Sequence, residues 1–274
     1  MKTTNRRRKS ARKRLAVGLL LIIALLSIVL TITLASAKGD TNRSEIIYKY
    51  ISEYEVFSAS DISFLQDPAL PDSIRSFVER YPETISFAAN YSAWSTAPPE
   101  KELNPDEYDS DYPLLIQWDK RWGYFWYGDD YLGTNGCGPA ALAMVYAGLS
   151  KDYSWSPAKL AEWADENNYY TDGAGTTWSF MSEGAEQLGL TATQIPLSYE
   201  DITSGLKARH PIICNMGPGD FTKAGHYIVL TGLTKEGLLK INDPNSPVRS
   251  SRLWDIETVL SQAKAAWEYE YEYP

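Results

Sequence analysis

The chain has 274 residues, of which 44% are hydrophobic and 22% charged, enough for one large globular domain with accessory segments. Eight of the 26 basic residues fall within residues 1–14, which contain no acid, so residues 15–274 hold 18 basic against 35 acidic residues and a net charge of −17. An acidic surface of this kind repels phosphates, which excludes nucleic acid as a partner.

The first predicted element follows the basic residues directly. Residues 15–34 carry no charge, and a helix of this length spans about 30 Å, the thickness of the hydrocarbon core of a bilayer. The sequence therefore predicts a transmembrane helix within a first domain, residues 1–37, that anchors the protein in the cell membrane with residues 38–274 outside. Because the residues up to Ala37 resemble a small-residue cleavage site, secretion after cleavage near Ala37 is the alternative.

A stalk and a helical accessory region are predicted next. Ile74, Phe77 and Val78 recur at helical spacing, and Pro82 interrupts a pattern that then resumes. A stretch rich in proline and acidic side chains follows, which is typical of a linker. The predicted division is the stalk and accessory region at 38–94, the linker at 95–113, the main domain at 114–268 and a tail at 269–274.

Helices are predicted in the main domain where a capping residue precedes a run of helix formers. Pro139 suits the first turn of a helix, because its missing N–H has no intrahelical partner there, and Ser156, Thr177 and Ser198 are candidate N-caps. The predicted helices cover residues 140–149, 157–168, 178–188, 199–208 and 255–267.

The apolar residues change to the period of strands after residue 210. PIICNM, GHYIVLTGL and GLLKIND are short and rich in aliphatic residues, and Gly, Pro and Asn bound them. They predict three strands of an antiparallel sheet. The ending EYEYEYP is predicted to be a solvated end or an edge strand. Helices followed by strands predict an α+β fold.

One of the two cysteines stands where a helix is predicted to begin. In TNGCGPAALAM, Cys137 lies between Gly136 and Gly138, which permit a tight turn and leave the sulfur uncovered. The partial positive charge of a helix N-terminus favours a thiolate, and the N–H of Cys137 can stabilise an oxyanion. Cys137 is thus a candidate nucleophile, with a buried structural cysteine as the alternative. The sequence leaves open whether it pairs with Cys214.

Three further residues are candidate partners of this thiol. His226 begins one predicted strand and Asp243 ends the next, so a hairpin would bring Asp243 beside His226 and let it orient the ring. Gln117, ahead of the cysteine, is a candidate second donor to an oxyanion. The other histidine, His210, is predicted to be an ordinary loop residue.

Taken together, these segments resemble a known family. Gln117, GCGPAALAM around Cys137, GHYIVLTG and INDPNS, in that order within residues 112–260, resemble the peptidase C39-like group of papain-fold cysteine peptidases. The segment YPETISFAANY resembles the helix that precedes this domain in many exported members. Gln117 precedes Cys137 by twenty residues, more than in the bacteriocin-processing members, which argues against a double-glycine leader as substrate.

The resemblance implies a papain-like α+β fold and a role for each matching residue. Cys137 corresponds to the nucleophile, His226 to the general base, Asp243 to the residue that orients the histidine, and Gln117 to the oxyanion donor. Trp178 follows a segment similar to the family's Gly-Thr-x-Trp and is a candidate wall of the cleft, with a buried residue at a helix start as the alternative.

Two more residues are candidates for binding substrate. Gly136 leaves the space beside the sulfur open. Trp118 belongs to the aromatic-rich stretch before the nucleophile, whose side chains would line a groove or form core beneath the loop.

The predicted function is a thiol hydrolase that is exported or membrane-anchored, a cysteine peptidase that acts on a peptide or protein substrate. Two widely separated histidines and no carboxylates at ligand spacing predict no metal site, and no phosphate-binding loop is present, so no cofactor is expected. Two alternatives remain open. One is an amidase that cuts peptidoglycan cross-links with the same residues, and the other is a non-catalytic cell-surface binding module on a papain-like frame.

Overall fold

The structure, a computed structural model, describes residues 41–59, 62–108 and 110–272. The predicted membrane segment at residues 15–34 and the cleavage site near Ala37 lie outside the described residues. Within the described ranges, no helix combines the length and the apolar character needed to cross a bilayer.

Helices form the N-terminal part of the described chain, as the apolar spacing predicts. Ile74, Phe77 and Val78 are all buried on one face of the second helix. Pro82 begins a 3-10 turn, Pro82–Thr84, that connects the second helix to the third. The three helices are α1 (Thr41–Ala59), α2 (Asp72–Arg80) and α3 (Ile85–Trp94), and a further 3-10 turn covers Ser63–Gln66.

These helices share a hydrophobic core with the rest of the molecule. Ile47 of α1 and Phe87 of α3 belong to the same buried cluster as Trp118 and Trp267. The ring of Phe87 also stacks on Tyr124, with ring centroids 4.4 Å apart. The helical accessory region is therefore packed into the main fold rather than held apart from it.

The stretch predicted as a linker, residues 95–113, runs along this packed surface. Its regular structure is a 3-10 turn at Pro105–Glu107. Leu103 and Tyr108 are buried in the main cluster, and the N–H of Leu103 donates to the carbonyl of Tyr153 at 2.7 Å. The acidic composition reflects an exposed outer side, while its apolar residues attach the segment to the core.

The middle of the chain contains the long buried helix that the Pro139 signal predicts. This helix, α5, covers Cys137–Ser150, and residues 138–148 along it are buried. Ser156 and Ser198 act as N-caps, since their side chains accept hydrogen bonds from the N–H groups of Lys159 and Asp201. The other helices of this part are α4 (Leu132–Asn135), α6 (Pro157–Glu166), α7 (Ala185–Gln187) and α8 (Tyr199–Lys207), with a π-helical turn at Phe180–Gly184 before α7.

Two small hairpins flank α5. They pair β1 (Trp126–Tyr127) with β2 (Asp130–Tyr131), and β3 (Tyr170–Thr171) with β4 (Gly175–Thr176). The first hairpin leads directly into α4 and the turn before Cys137.

The main sheet has six antiparallel strands in the order β5-β10-β6-β7-β8-β9. The three predicted strands are present at its centre as β6, β7 and β8, and α5 packs against β7. The strands are β5 (Thr191–Ile195), β6 (Ile212–Met216), β7 (His226–Leu233), β8 (Leu239–Asn242), β9 (Leu253–Trp254) and β10 (Ala263–Glu270). The short helices α9 (Pro247–Ser250) and α10 (Ile256–Leu260) follow β8 and β9.

The C-terminal prediction is wrong. The helix predicted at residues 255–267 ends at Leu260, and residues 263–270 form β10 in the interior of the sheet. In β10, Trp267 pairs with Gln194 of β5 on one side and Ile213 of β6 on the other. The alanines of this segment favour a helix by intrinsic propensity. Pairing with the distant strands β5 and β6 outweighs that propensity, and the segment forms a strand. The separate tail predicted at 269–274 begins within this strand.

Candidate active site

Cys137 is the first residue of α5, at the mouth of a cleft. Gly136 before it has φ −86° and ψ 20°, and a Cβ there would lie 2.5 Å from the carbonyl oxygen of Leu132, so the turn excludes any side chain. The first N–H groups of a helix have no intrahelical partner and carry partial positive charge. The half-buried Cys137, a free thiol, therefore lies in an environment that favours an anion.

His226 is the first residue of β7 and lies against Cys137. Its Nε2 is 2.7 Å from Oδ1 of Asp243, and the nearby Cys137 side chain helps to raise the pKa of the ring. Because Nε2 is directed at the carboxylate, Nδ1 is the nitrogen that can exchange a proton with the sulfur. The ring is 6% exposed, so bulk water does not compete for either contact.

The predicted hairpin brings His226 and Asp243 together. β7 and β8 pair antiparallel with Val229 opposite Asn242, which places the start of β7 beside the residue that follows β8. This contact between the two residues confirms the hairpin prediction.

The charges around the imidazole favour its protonated form. Burial lowers the pKa of His226, but the Asp243 carboxylate and Cys137 outweigh it, and the pKa rises from 6.5 to about 9. Burial raises the pKa of Asp243, and the positive charges of Arg249 and His226 reverse this and hold the pKa well below its usual range. At neutral pH the site therefore contains an imidazolium beside a carboxylate.

Arg249 is a charged partner of Asp243 that the sequence analysis missed. Its Nε donates to Oδ2 of Asp243 at 2.6 Å, while Oδ1 accepts from His226 and, at 2.8 Å, from the N–H of Asn245. Asp243 has no exposed surface, so its charge depends on these donors. Arg249 lies six residues after Asp243 in α9, and no motif in the sequence distinguishes it from the other arginines of the chain.

Gln117 lies in the same cleft and is held at both its backbone and its side chain. Its N–H donates to the carbonyl of Pro244 at 2.8 Å. Its side-chain Nε2 donates to the carbonyl of Gly133 at 2.8 Å, which fixes the direction of the amide. The second N–H of the amide remains available for a substrate oxygen. The amide is thus held in one orientation at the cleft.

The packing behind Gln117 comes from the N-terminal helices. A Cβ at Gly133 would lie 2.4 Å from the ring of Phe87, so this glycine allows α3 to approach α4, whose Gly133 carbonyl accepts the hydrogen bond from the Gln117 amide. The short helix α4 is thereby packed against the helical accessory region.

The cleft has a volume of about 270 Å³, and Gln117, Cys137 and His226 all line it. The structure therefore brings together the four residues predicted as catalytic, three in the cleft wall and Asp243 behind His226. Ser73, Arg80 and other residues of α2 line the opposite wall, a contribution that no feature of the sequence indicates.

The three candidate substrate-binding residues lie in different environments. Trp118 is 1% exposed and its Nε1 donates to the carbonyl of Asn245 at 3.0 Å, so it supports the turn after Asp243 from within the core and does not reach the cleft. Trp178 is 46% exposed and packs edge-on against Trp267, outside the cleft lining. Gly136 is buried directly before the nucleophile.

His210 and Cys214 lie outside the cleft lining. His210 Nδ1 is 2.6 Å from Glu268, and Nε2 is 3.7 Å from Glu270. These three offer ligand atoms within 4.8 Å of one another and are the one such group among the described residues. The ring is hydrogen-bonded to Glu268 through Nδ1, and Glu270 lies on the side of Nε2. Cys214 is a free thiol in β6 whose pKa burial raises to about 12.

Comparison with known proteins adds the family. Residues 110–273 match the model of the Peptidase_C39 like family (Peptidase_C39_2). The chain belongs to this family. It is accordingly a cysteine peptidase, as the resemblance of the sequence segments predicts.

Among solved structures, the chain is similar to the crystal structure of the peptidase domain of Streptococcus ComA, a bi-functional ABC transporter involved in a quorum-sensing pathway. The identity is 25% and the TM-score 0.43, and the match covers 59% of this chain and 99% of that one. Curated proteins give no significant match.

Proposed function

We propose that this C39-like peptidase cleaves peptide bonds through Cys137, His226 and Asp243, with Gln117 as an oxyanion donor. The observation that carries the proposal is that Cys137 and His226 line one cleft and interact electrostatically, with the His226 ring held 2.7 Å from the buried Asp243 carboxylate. A buried structural cysteine would have no reason to lie in a cleft against a charged imidazole.

The mechanism follows from the positions of the groups. The Cys137 thiolate attacks the carbonyl carbon, and the resulting oxyanion accepts hydrogen bonds from the N–H of Cys137 and the amide of Gln117. The His226 imidazolium gives its proton to the leaving amine, and this leaves a thioester on Cys137. The neutral His226 then takes a proton from water, which attacks the thioester, releases the acid and restores the thiolate–imidazolium pair.

Asp243 acts throughout by holding the imidazole. Its carboxylate fixes the ring orientation through Nε2 and stabilises the positive charge that the first step needs. Arg249 in turn fixes the second oxygen of the carboxylate.

The free state of both cysteines favours an enzyme over a binding module. A disulfide between Cys137 and Cys214 would remove the nucleophile, and both are free thiols. Peptides and peptidoglycan cross-links present the same reacting carbonyl to these residues, and comparing turnover of the two substrates distinguishes a peptidase from the amidase alternative.

The proposal includes export with the catalytic domain outside the cell. The support is the basic block at residues 1–14 followed by twenty uncharged residues at 15–34. A reporter enzyme that is active only outside the cytoplasm, fused to the C-terminus, should be active with the full chain and inactive when residues 15–34 are deleted.

The catalytic proposal is tested with a peptide library incubated with the full chain, Cys137→Ala and Cys214→Ala. Wild type and Cys214→Ala should cleave, and Cys137→Ala should not, with circular dichroism unchanged. Cys214→Ala is the matched control because it removes the other thiol. Cleavage that persists in Cys137→Ala would contradict the proposed nucleophile.

A further inference from the structure

The catalytic cleft has two walls of different origin. One wall carries Cys137 and His226, which lie within the residues that match the family model, 110–273. The other wall carries residues of α2 and the turn after it, residues 73–81, which lie before the matched region. Any substrate contact on this second wall is therefore made by the N-terminal helices and not by the part of the chain that matches the family model.

The charged residues of the cleft are mainly basic. Arg80, the last residue of α2, and Lys223, three residues before His226, are both exposed at the lining. Neither forms an ion pair with another residue in the described ranges. Both cations are therefore available to a ligand.

The single carboxylate of the lining is already engaged. Oδ1 of Asp130 accepts from the hydroxyl of Ser73 at 2.9 Å and from the N–H of Tyr131 at 2.8 Å. These neutral donors leave its charge in place, so the cleft has two unpaired cations against one carboxylate, although residues 15–274 as a whole carry a net charge of −17. Two unpaired basic side chains lining the cleft of an acidic protein are complementary to acidic groups.

A second cavity continues from the first at Arg80. It has a volume of about 490 Å³ and shares Arg80 and Tyr81 with the catalytic cleft. Arg252 and Trp254 also line this cavity, together with the acidic residues Glu83 and Asp220. Arg80 thus lies where an extended peptide would pass from the reacting centre into the larger cavity.

We propose that Arg80 and Lys223 are specificity-determining residues that select peptides with acidic side chains beside the scissile bond. This inference rests on the proposed function of Cys137 and His226. Each exposed pair of charges contributes modestly, and the two acting together should give about a tenfold preference in kcat/KM for acidic over neutral sequences at low salt. Higher ionic strength should reduce the preference.

The test uses a peptide library from a digested proteome, incubated with the full chain, with mass spectrometry of the cleaved bonds. Wild type should show Asp and Glu enriched beside the cleaved bonds. Arg80→Ala and Lys223→Ala should each weaken the enrichment, and the Arg80→Glu, Lys223→Glu double variant should shift it toward Lys and Arg. Lys235→Ala, which removes an exposed charge from the β7–β8 turn, is the matched control and should cut as wild type does.

Two failures of this test are distinguishable. Cleavage without acidic enrichment, or an enrichment that the Arg80 and Lys223 variants leave unchanged, would overturn the specificity inference alone. The absence of any cleavage, together with a Cys137 that a small neutral alkylating reagent does not modify, would overturn the proposed function and the inference with it. Alkylation of Cys137 at the wild-type rate in each variant shows that the catalytic pair has stayed intact.

Discussion

Replacing Asp243 with Asn should remove most of the activity at neutral pH and move the alkaline limit of activity to lower pH. The carboxylate is fully buried and 2.7 Å from His226 Nε2, and it is the main group that raises the pKa of His226. Without its charge, the pKa of His226 should fall from about 9 toward the ordinary histidine value of about 6.5. The imidazolium that donates the proton to the leaving amine is then largely absent above pH 7.

The structure gives the size of this effect. A fall in the pKa of His226 from about 9 to about 6.5 corresponds to a loss of about 3 kcal/mol of imidazolium stabilisation. Because the histidine is protonated below its pKa, wild-type activity should decline as the pH rises through about 9. In Asp243→Asn the decline should begin near pH 6.5, and this loss of protonation should lower kcat/KM at pH 7.5 by about tenfold.

The assay is kcat/KM for one cleaved peptide between pH 5 and 10, with circular dichroism as the check on folding. Asp172→Asn, the same change at an exposed aspartate outside the cleft lining, is the matched control. Because Asn leaves Arg249 buried without its partner, the Asp243→Asn, Arg249→Met double variant removes both charges and guards against misfolding. An alkaline limit near pH 9 in folded Asp243 variants would refute the reasoning.

Other substitutions test the supporting contacts. Gln117→Ala should lower kcat by about 10²–10³-fold with little change in KM, measured by steady-state kinetics, and an unchanged kcat would exclude the amide as an oxyanion donor. Arg249→Lys keeps the charge but loses the 2.6 Å contact with Asp243, and should lower the free energy of unfolding by about 1.5–3 kcal/mol in urea denaturation, whereas wild-type stability and rate would contradict its positioning role. Phe87→Ala should cost about 3–5 kcal/mol of stability because the ring is fully buried against Gly133, and a change below 1 kcal/mol would show that α3 does not support the site.

The residues of the reacting centre could be predicted because their signals are local. The glycines around Cys137 and the proline after it mark a helix start, and two aliphatic strands joined by a short turn place Asp243 beside His226. Hairpin pairing is fixed by nearby residues, so the contact between His226 and Asp243 follows from a short stretch of chain.

The C-terminal strand could not be predicted in the same way. Its alternating Glu and Tyr residues have the period of a strand, but the preceding alanines favour a helix. The segment forms a strand because Trp267 pairs with residues of β5 and β6. Both strands lie more than fifty residues before Trp267 in the chain. Local propensity contains no information on such partners.

The sequence likewise did not predict that α2 lines the cleft or that Arg249 contacts Asp243. Arg80 reaches a cleft whose nucleophile is 57 residues later, and the periodicity of α2 shows only which face is buried. Trp118 was a candidate substrate-binding residue because it lies in an aromatic-rich stretch. In the structure it is buried and hydrogen-bonded to the carbonyl of Asn245, so it belongs to the core. Aromatic composition does not distinguish a cleft wall from the packing beneath it.

The most direct test of the account is the rate of alkylation of Cys137 by iodoacetamide at pH 6.5, in the full chain and in His226→Ala. An ordinary thiol is about 1% ionised at this pH, so a thiolate–imidazolium pair should react faster in wild type than in the variant, by up to about a hundredfold. Equal rates in the two proteins, with Cys137 located as the modified residue, would contradict the claim that His226 activates it.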